Sequence, residues 1–242
     1  MKASINSIES FSTVDGPGIR TTIFFNGCAL RCKYCHNPEM FNLQKYNYDT
    51  EEVVKKITNF KDYYGQKGGV TLSGGEPLLQ PEYLIELCKK LKKINVHIAL
   101  DTAGYGIGKY EEILKNIDLI ILDIKDITEE RFKNLTNGEI QKVWEFLKIA
   151  NKLNKKFIVR QVIVPDLHDN KEYLIGLNNY IKKHIKNIQK IEFLPYHKIG
   201  DQKYEKLKIP NPYKNKKAMD IEKCNKLFEE FMKIYNNKNS AL

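Results

Sequence analysis

Thr21-Thr22-Ile23-Phe24-Phe25-Asn26-Gly27-Cys28-Ala29-Leu30-Arg31-Cys32-Lys33-Tyr34-Cys35 decides how this chain is read. Its first five residues are β-branched or aromatic and read as a strand. The strand opens into a loop with three cysteines in eight residues, spaced Cys-x3-Cys-x2-Cys. Thiolates are ligands for soft metals and iron–sulfur clusters. A four-iron cluster presents four irons and this loop offers three thiols, so one iron stays open to a second molecule. Catalytic metal sites keep such a position, and structural sites do not. The other reading is a zinc knuckle completed by His36 or a distant cysteine. Zinc sites usually pair two Cys or His hooks, and no second hook follows here. Cys88 and Cys224 stand alone in apolar helical contexts and read as core residues.

Outward from this loop, apolar runs alternate with amphipathic ones. Strands are expected at 21–25, 70–73, 96–100, 119–122, 157–164 and 190–194. Helices are expected at 50–63, 81–93, 109–115, 138–154, 170–184 and 220–235. Leu119-Ile120-Ile121-Leu122 is apolar throughout, as in a parallel sheet whose faces are covered. Six strand–helix units imply an α/β fold, a partial (β/α)6 TIM-like barrel rather than a closed (β/α)8 one. One domain over residues 1–242 is expected, since a chain of this length buries a large core.

Hydrophobic residues make up 42% of the chain, but no run of eighteen apolar residues occurs, so no membrane span is expected. The segment Met1-Lys2-Ala3-Ser4-Ile5-Asn6 lacks an apolar signal core, and a cytoplasmic location is expected, where five cysteines stay reduced. The net charge of +10 comes from scattered lysines, the longest cluster being Lys214-Asn215-Lys216-Lys217. That pattern reads as a solvated surface and not as a nucleic-acid footprint. Arginine occurs only at 20, 31, 131 and 160, where its planar fork stands out against the lysine background.

In a barrel of this kind the active residues lie beyond the C-terminal ends of the strands. The first expected strand is followed by the three cysteines, and the second by Ser73-Gly74-Gly75-Glu76-Pro77. Asp101-Thr102 ends the third and Asp123-Ile124-Lys125 the fourth. Arg160 lies in the fifth, and Pro195-Tyr196-His197 ends the sixth. Taken singly these are a tight turn, a helix cap or a structural aspartate. Their common topological position points to one site.

Four segments carry a closer resemblance: Thr13-Val14-Asp15-Gly16-Pro17-Gly18-Ile19-Arg20, Gly27-Cys28 through His36-Asn37-Pro38, Leu122-Asp123-Ile124-Lys125, and Leu194-Pro195-Tyr196-His197. Together they resemble the activases of pyruvate formate-lyase, within the radical S-adenosylmethionine (SAM) family. Many activases of other glycyl radical enzymes carry a cysteine-rich insert, and no cysteine cluster follows Cys35 here. The stretch 209–217 has its own proline and lysine pattern, to which no substrate contact is assigned.

The resemblance implies a 4Fe-4S cluster on Cys28, Cys32 and Cys35, with SAM on the open iron. Reductive cleavage would yield methionine and a 5′-deoxyadenosyl radical, which takes hydrogen from a glycine α-carbon of a large partner enzyme. It further implies that Gly74, Gly75 and Glu76 edge the methionine moiety and that Lys125 meets its carboxylate. Asp123 would meet the amino group, the ribose or a monovalent cation, and Asp101 and Thr102 would share these roles. Tyr34 and His36 would lie against adenine, and His197 on the ribose or in a surface turn. Arg160 would pair with the cofactor or with an acid across the barrel. Asp15 and Arg20 would seat the peptide substrate, or merely flank a rigid turn at Gly16-Pro17-Gly18. Flavodoxin or ferredoxin is the implied electron donor, with no nucleic acid or membrane partner. Competing readings are an activase of a different glycyl radical enzyme, an electron carrier, and a zinc module.

Overall fold

The computed structural model of the chain describes residues 1–237. Strands β1 (Lys2–Ala3) and β2 (Ile5–Ser12) precede β3 (Arg20–Phe25), and β2 runs antiparallel to β3. β4 (Tyr48–Asp49) pairs back onto β1 and leads into helix α1 (Thr50–Phe60). There Asp49 and Glu52 form a capping box that satisfies backbone N–H groups the helix cannot. Strand and helix then alternate: β5 (Gly69–Gly74), α2 (Pro81–Lys93), β6 (Ile98–Thr102), α3 (Tyr110–Leu114) and β7 (Leu119–Ile124). Two helices follow, α4 (Glu129–Thr136) and α5 (Ile140–Lys152), then β8 (Lys156–Ile163), α6 (Lys171–His184), β9 (Ile188–Pro195), α7 (Asp201–Leu207) and α8 (Ile221–Asn236).

The main sheet has the order β2-β3-β5-β6-β7-β8-β9, parallel from β3 to β9. Its end strands, β2 and β9, do not pair with each other, so the barrel is open along one side. This is the expected arrangement of six parallel strands, with one antiparallel strand added at the edge. β2 escaped the sequence reading because its outer half is polar and two register shifts interrupt its pairing. Helix 50–63 stops at Phe60 and tightens into a 3-10 turn, and helix 138–154 is confined to Ile140–Lys152. The third strand runs Ile98–Thr102 rather than 96–100, because Asn95 turns the chain with φ of 55° just before it.

The core forms on two sides of the sheet. Outside, helices bury one stripe each; in α2 that stripe is Leu84, Leu87, Cys88 and Leu91, at helical spacing. Each leucine buried in this way contributes about 1.5–3 kcal/mol. Inside, Ala99, Leu119, Ile121 and Ile158 pack together across neighbouring strands and fill the lower barrel. Further along the same strands the inward positions become Ser73, Asp101, Asp123 and Arg160, and the interior turns polar toward the C-terminal mouth. Cys88 and Cys224 are buried in α2 and α8, away from that mouth.

Candidate active site

The cysteine loop is pinned by its own backbone. Gly27 N–H donates to Met40 O and Cys28 N–H to Phe41 O. Arg31 and Lys33 N–H donate to Thr136 O and Leu135 O at the end of α4. On the other side Gly200 packs against Cys35 and His36, where an added Cβ would lie 3.0 Å from the His36 Cα. Lys203 of α7 donates to Asn37 Oδ1 and Glu39 Oε1 at 2.6 Å each. All three thiols are free. Burial pushes Cys28 up to about 11 and raises Cys32 and Cys35 too, so at neutral pH they are protonated thiols.

A cavity of about 380 Å³ opens beside this loop at the barrel mouth. Cys28, Cys32 and Cys35 line one wall with Tyr34 and His36. Gly74, Gly75 and Glu76 line the β5 end, Asp101 and Thr102 the β6 end, and Asp123 and Lys125 the β7 end. Arg160 and His197 close the circuit from β8 and the turn after β9. Every residue expected to face the cofactors thus lines one cavity.

Gly75 admits no side chain, because a Cβ there would meet Gly27 O at 2.2 Å. Gly74 has φ of 107° and packs on Phe25, so the turn keeps bare backbone at the rim. Glu76 is fully buried and committed to the fold. It accepts from Thr102 Oγ1 (2.6 Å), Ala103 N–H (3.0 Å) and Leu78 N–H (3.2 Å), which ties the β5 turn to the end of β6. Asp101 accepts from Ser73 Oγ at 2.9 Å, and burial raises its carboxyl to about 6 against the opposing pull of Arg160.

Lys125 is half-buried and bonds Asp123 Oδ2, with its ammonium 5.6 Å from the Tyr34 ring centre. Burial pulls Lys125 down, but Asp123 and the neighbouring Tyr34 and Cys32 together hold it well above its ordinary value. Arg160 donates to Glu192 Oε2 (2.8 Å), its register partner on the adjacent strand β9 and not an acid across the barrel, and to Val14 O (2.9 Å). His36 and His197 stack with ring centres 3.8 Å apart. His36 Nε2 donates to His197 O (3.0 Å), and burial followed by His197 lowers His36 to about 4, so it stays neutral.

A sequence profile described as the Radical SAM superfamily matches residues 22–180. The chain is 49% identical over 231 residues to the pyruvate formate-lyase-activating enzyme of Clostridium pasteurianum, covering 95% of this chain and 96% of that one. The chain belongs to the pyruvate formate-lyase-activating enzymes of the radical SAM superfamily. The same-named enzyme of Streptococcus mutans is 40% identical over 219 residues, 86% of this chain and 82% of its own. A crystal structure of a radical SAM methyltransferase from Sphaerobacter thermophilus aligns with a TM-score of 0.64 over 97% of this chain and 75% of that one. At 13% identity it shares the fold. As a radical SAM enzyme the chain uses a 4Fe-4S cluster and S-adenosylmethionine.

The cavity fits those groups. Asp123 Oδ1 and the Tyr34 hydroxyl are buried without any hydrogen-bond partner, at the wall where a polar ligand would sit. No three His, Cys, Asp or Glu side chains among the described residues are grouped tightly enough to hold one metal ion. A cluster offers each thiol a separate iron and does not need them to meet at a point. Its positive irons favour the thiolates that burial disfavours.

Asp15 and Arg20 are not brought to this cavity. Asp15 accepts from Ser12 Oγ (2.6 Å) and Thr22 Oγ1 (2.8 Å), and its carbonyl accepts from Thr71 Oγ1 (2.6 Å). Arg20 is fully buried at the start of β3, opposite the mouth. It donates to Thr71 Oγ1, Pro17 O and Val70 O, and so anchors the 13–19 segment. Sequence reasoning passed over Val162, which lines the cavity, and Asp126 and His168, which lie just behind it. Val162 had a signal: it follows Arg160 by two positions on the same strand face.

Proposed function

We propose that this chain installs a glycyl radical on pyruvate formate-lyase. The observation that carries this reading is the convergence of the three thiols and all the strand-end polar residues on one cavity. Together, the bound cluster and SAM supply one-electron cleavage of the sulfonium carbon–sulfur bond and a carbon radical that takes hydrogen from a glycine α-carbon. The protein's work is to bind, orient and exclude water.

Cys28, Cys32 and Cys35 would hold three irons of the cluster. Lys125 neutralises the SAM carboxylate, and the free Asp123 Oδ1 receives the amino group, a ribose hydroxyl or a monovalent cation. Asp101 and Thr102 line that side, and bare backbone at Gly74 and Gly75 meets the methionine end, with Glu76 fixing the turn. Neutral His36 with Tyr34 offers aromatic faces to adenine, and His197 bonds the ribose. Arg160 holds Val14 O and so links the cavity to the segment in which Asp15 seats the target loop. Flavodoxin or ferredoxin supplies the electron. The whole chain, residues 1–242, acts as one domain in the cytoplasm. No helix among the described residues is long and apolar enough to cross a membrane.

The test is electron paramagnetic resonance on an anaerobic mixture of reconstituted protein, reductant, SAM and pyruvate formate-lyase from the same organism. An organic doublet on the lyase, with SAM consumed, is expected. Release of 5′-deoxyadenosine without a doublet would reject this partner and keep the SAM chemistry. No release from protein with an intact cluster would reject both.

A further inference from the structure

Directly behind Lys125 lies a buried ionic knot that the reading above does not use. Asp126 follows Lys125 in the loop between β7 and α4 and is almost fully buried. Its Oδ1 accepts from Arg131 Nε of α4 (2.8 Å) and from Ile127 N–H (2.7 Å). Its Oδ2 faces His168 Nε2 at 3.4 Å. His168 is completely buried in the turn after β8, and its Nδ1 meets Val162 O (2.8 Å) and Val164 N (3.2 Å). Arg131 also donates to Leu167 O (2.8 Å) and lies 4.9 Å from the centre of the Tyr173 ring on α6. Burial works against the Asp126 carboxylate, but His168 and Arg131 hold it below its ordinary value, so it is ionised.

The knot joins two walls of the cavity. On one side Asp126 is the next residue after Lys125; on the other, His168, with Nε2 toward Asp126, accepts the Val164 N–H at Nδ1, two residues beyond Val162, which lines the cavity. Without it, the loop carrying Lys125 has its backbone constraint only from the end of β7 and the start of α4. Such indirect supports set the geometry of ligand-binding groups.

We infer that Asp126, clamped by Arg131 and His168, is the positioning residue for Lys125 and fixes the width of the SAM cavity between the β7 and β8 ends. This rests on the reading that SAM binds there. Asp126→Asn keeps the shape and removes the charge. Arg131→Ala removes the clamp from the partly exposed side and leaves the core filled. Isothermal titration of SAM into cluster-loaded protein is compared with steady-state kinetics and iron content. Either variant is expected to raise both the SAM dissociation constant and KM roughly tenfold, with kcat at saturating SAM and iron content unchanged. Arg131→Lys, which keeps the charge, is expected to recover part of the affinity. Phe231→Leu, a core change on α8, serves as the control: it lowers the melting temperature without moving SAM affinity. Wild-type SAM affinity in both Asp126→Asn and Arg131→Ala would overturn the proposal. If Asp126→Asn fails to load the cluster, Arg131→Ala decides alone. Wild-type protein that binds no SAM would remove the underlying reading and the proposal with it, a failure visible before any variant is made.

Discussion

At the N-terminal end of the barrel Arg20 donates from all three guanidinium nitrogens, to Thr71, Pro17 and Val70, with His97 Nδ1 3.2 Å from Nη2. At the C-terminal end Asp123 Oδ1 and the Tyr34 hydroxyl have no hydrogen-bond partner, and the thiols of buried Cys32 and half-buried Cys28 and Cys35 stay protonated. Both ends bury polar groups at a cost; Arg20 has that cost met by protein acceptors, and Asp123 Oδ1 and the Tyr34 hydroxyl do not. At the mouth the two open groups line the cavity beside the cysteines, whereas the Arg20 contacts hold the fold. The comparison also corrects a tempting equivalence: a rare arginine in a distinctive motif belongs here to the anchoring end.

The largest expected effect is at the open end. Cys32→Ser should abolish cluster binding, read as loss of iron and of brown colour in anaerobic protein. Retained iron would break the contrast at once. Next comes the closed end, where Arg20→Met strands several buried acceptors and should cost about 3–5 kcal/mol in denaturant unfolding. The protein that remains folded should keep its SAM affinity; a weakened affinity would mean that the two ends are not separable.

Lys125→Ala should loosen SAM by roughly ten- to a hundredfold, about 1.5–3 kcal/mol, with the cluster intact. Unchanged affinity would remove Lys125 from the site. An effect confined to one pH window concerns Asp101, whose half-buried carboxyl lies at about 6. Its folded-state value exceeds the unfolded one, so the protonated form is favoured by folding, and that contribution is lost as pH rises through about 6. Above that range ionised Asp101 costs about 2–3 kcal/mol. Asp101→Asn should therefore raise the melting temperature of cluster-free protein at pH above 7, and the gain should shrink as pH falls below 6. A pH-independent difference would contradict the burial argument.

The same contrast explains what the sequence made legible. Cavity residues sit at strand ends, and continuous apolar strands such as 119–122 are visible without a structure, so the residues that follow them could be named. Strand β2 was hidden by its polar outer half and by the bulge at Phe11, whose φ is 63°. Helix α7 was hidden by its shortness and by a stripe in which Tyr204 alone is buried. The Asp126 knot was hidden for a different reason. Its three members come from α4, the β7 loop and the β8 turn, with Asp126 and His168 separated by 42 positions, and no local pattern pairs them. Arg20 misled because a motif shows that a residue is special without showing which end of a strand it faces.

The most direct test of the central claim, that the uncompensated end acts on a glycine α-carbon, is isotope transfer. Pyruvate formate-lyase made with α-deuterated glycine is incubated with the reduced, cluster-loaded protein and SAM, and the released 5′-deoxyadenosine is weighed by mass spectrometry. Deuterium in that product, absent when Cys32→Ser replaces the wild type, is the predicted result. Unlabelled 5′-deoxyadenosine formed alongside an activated lyase would contradict it.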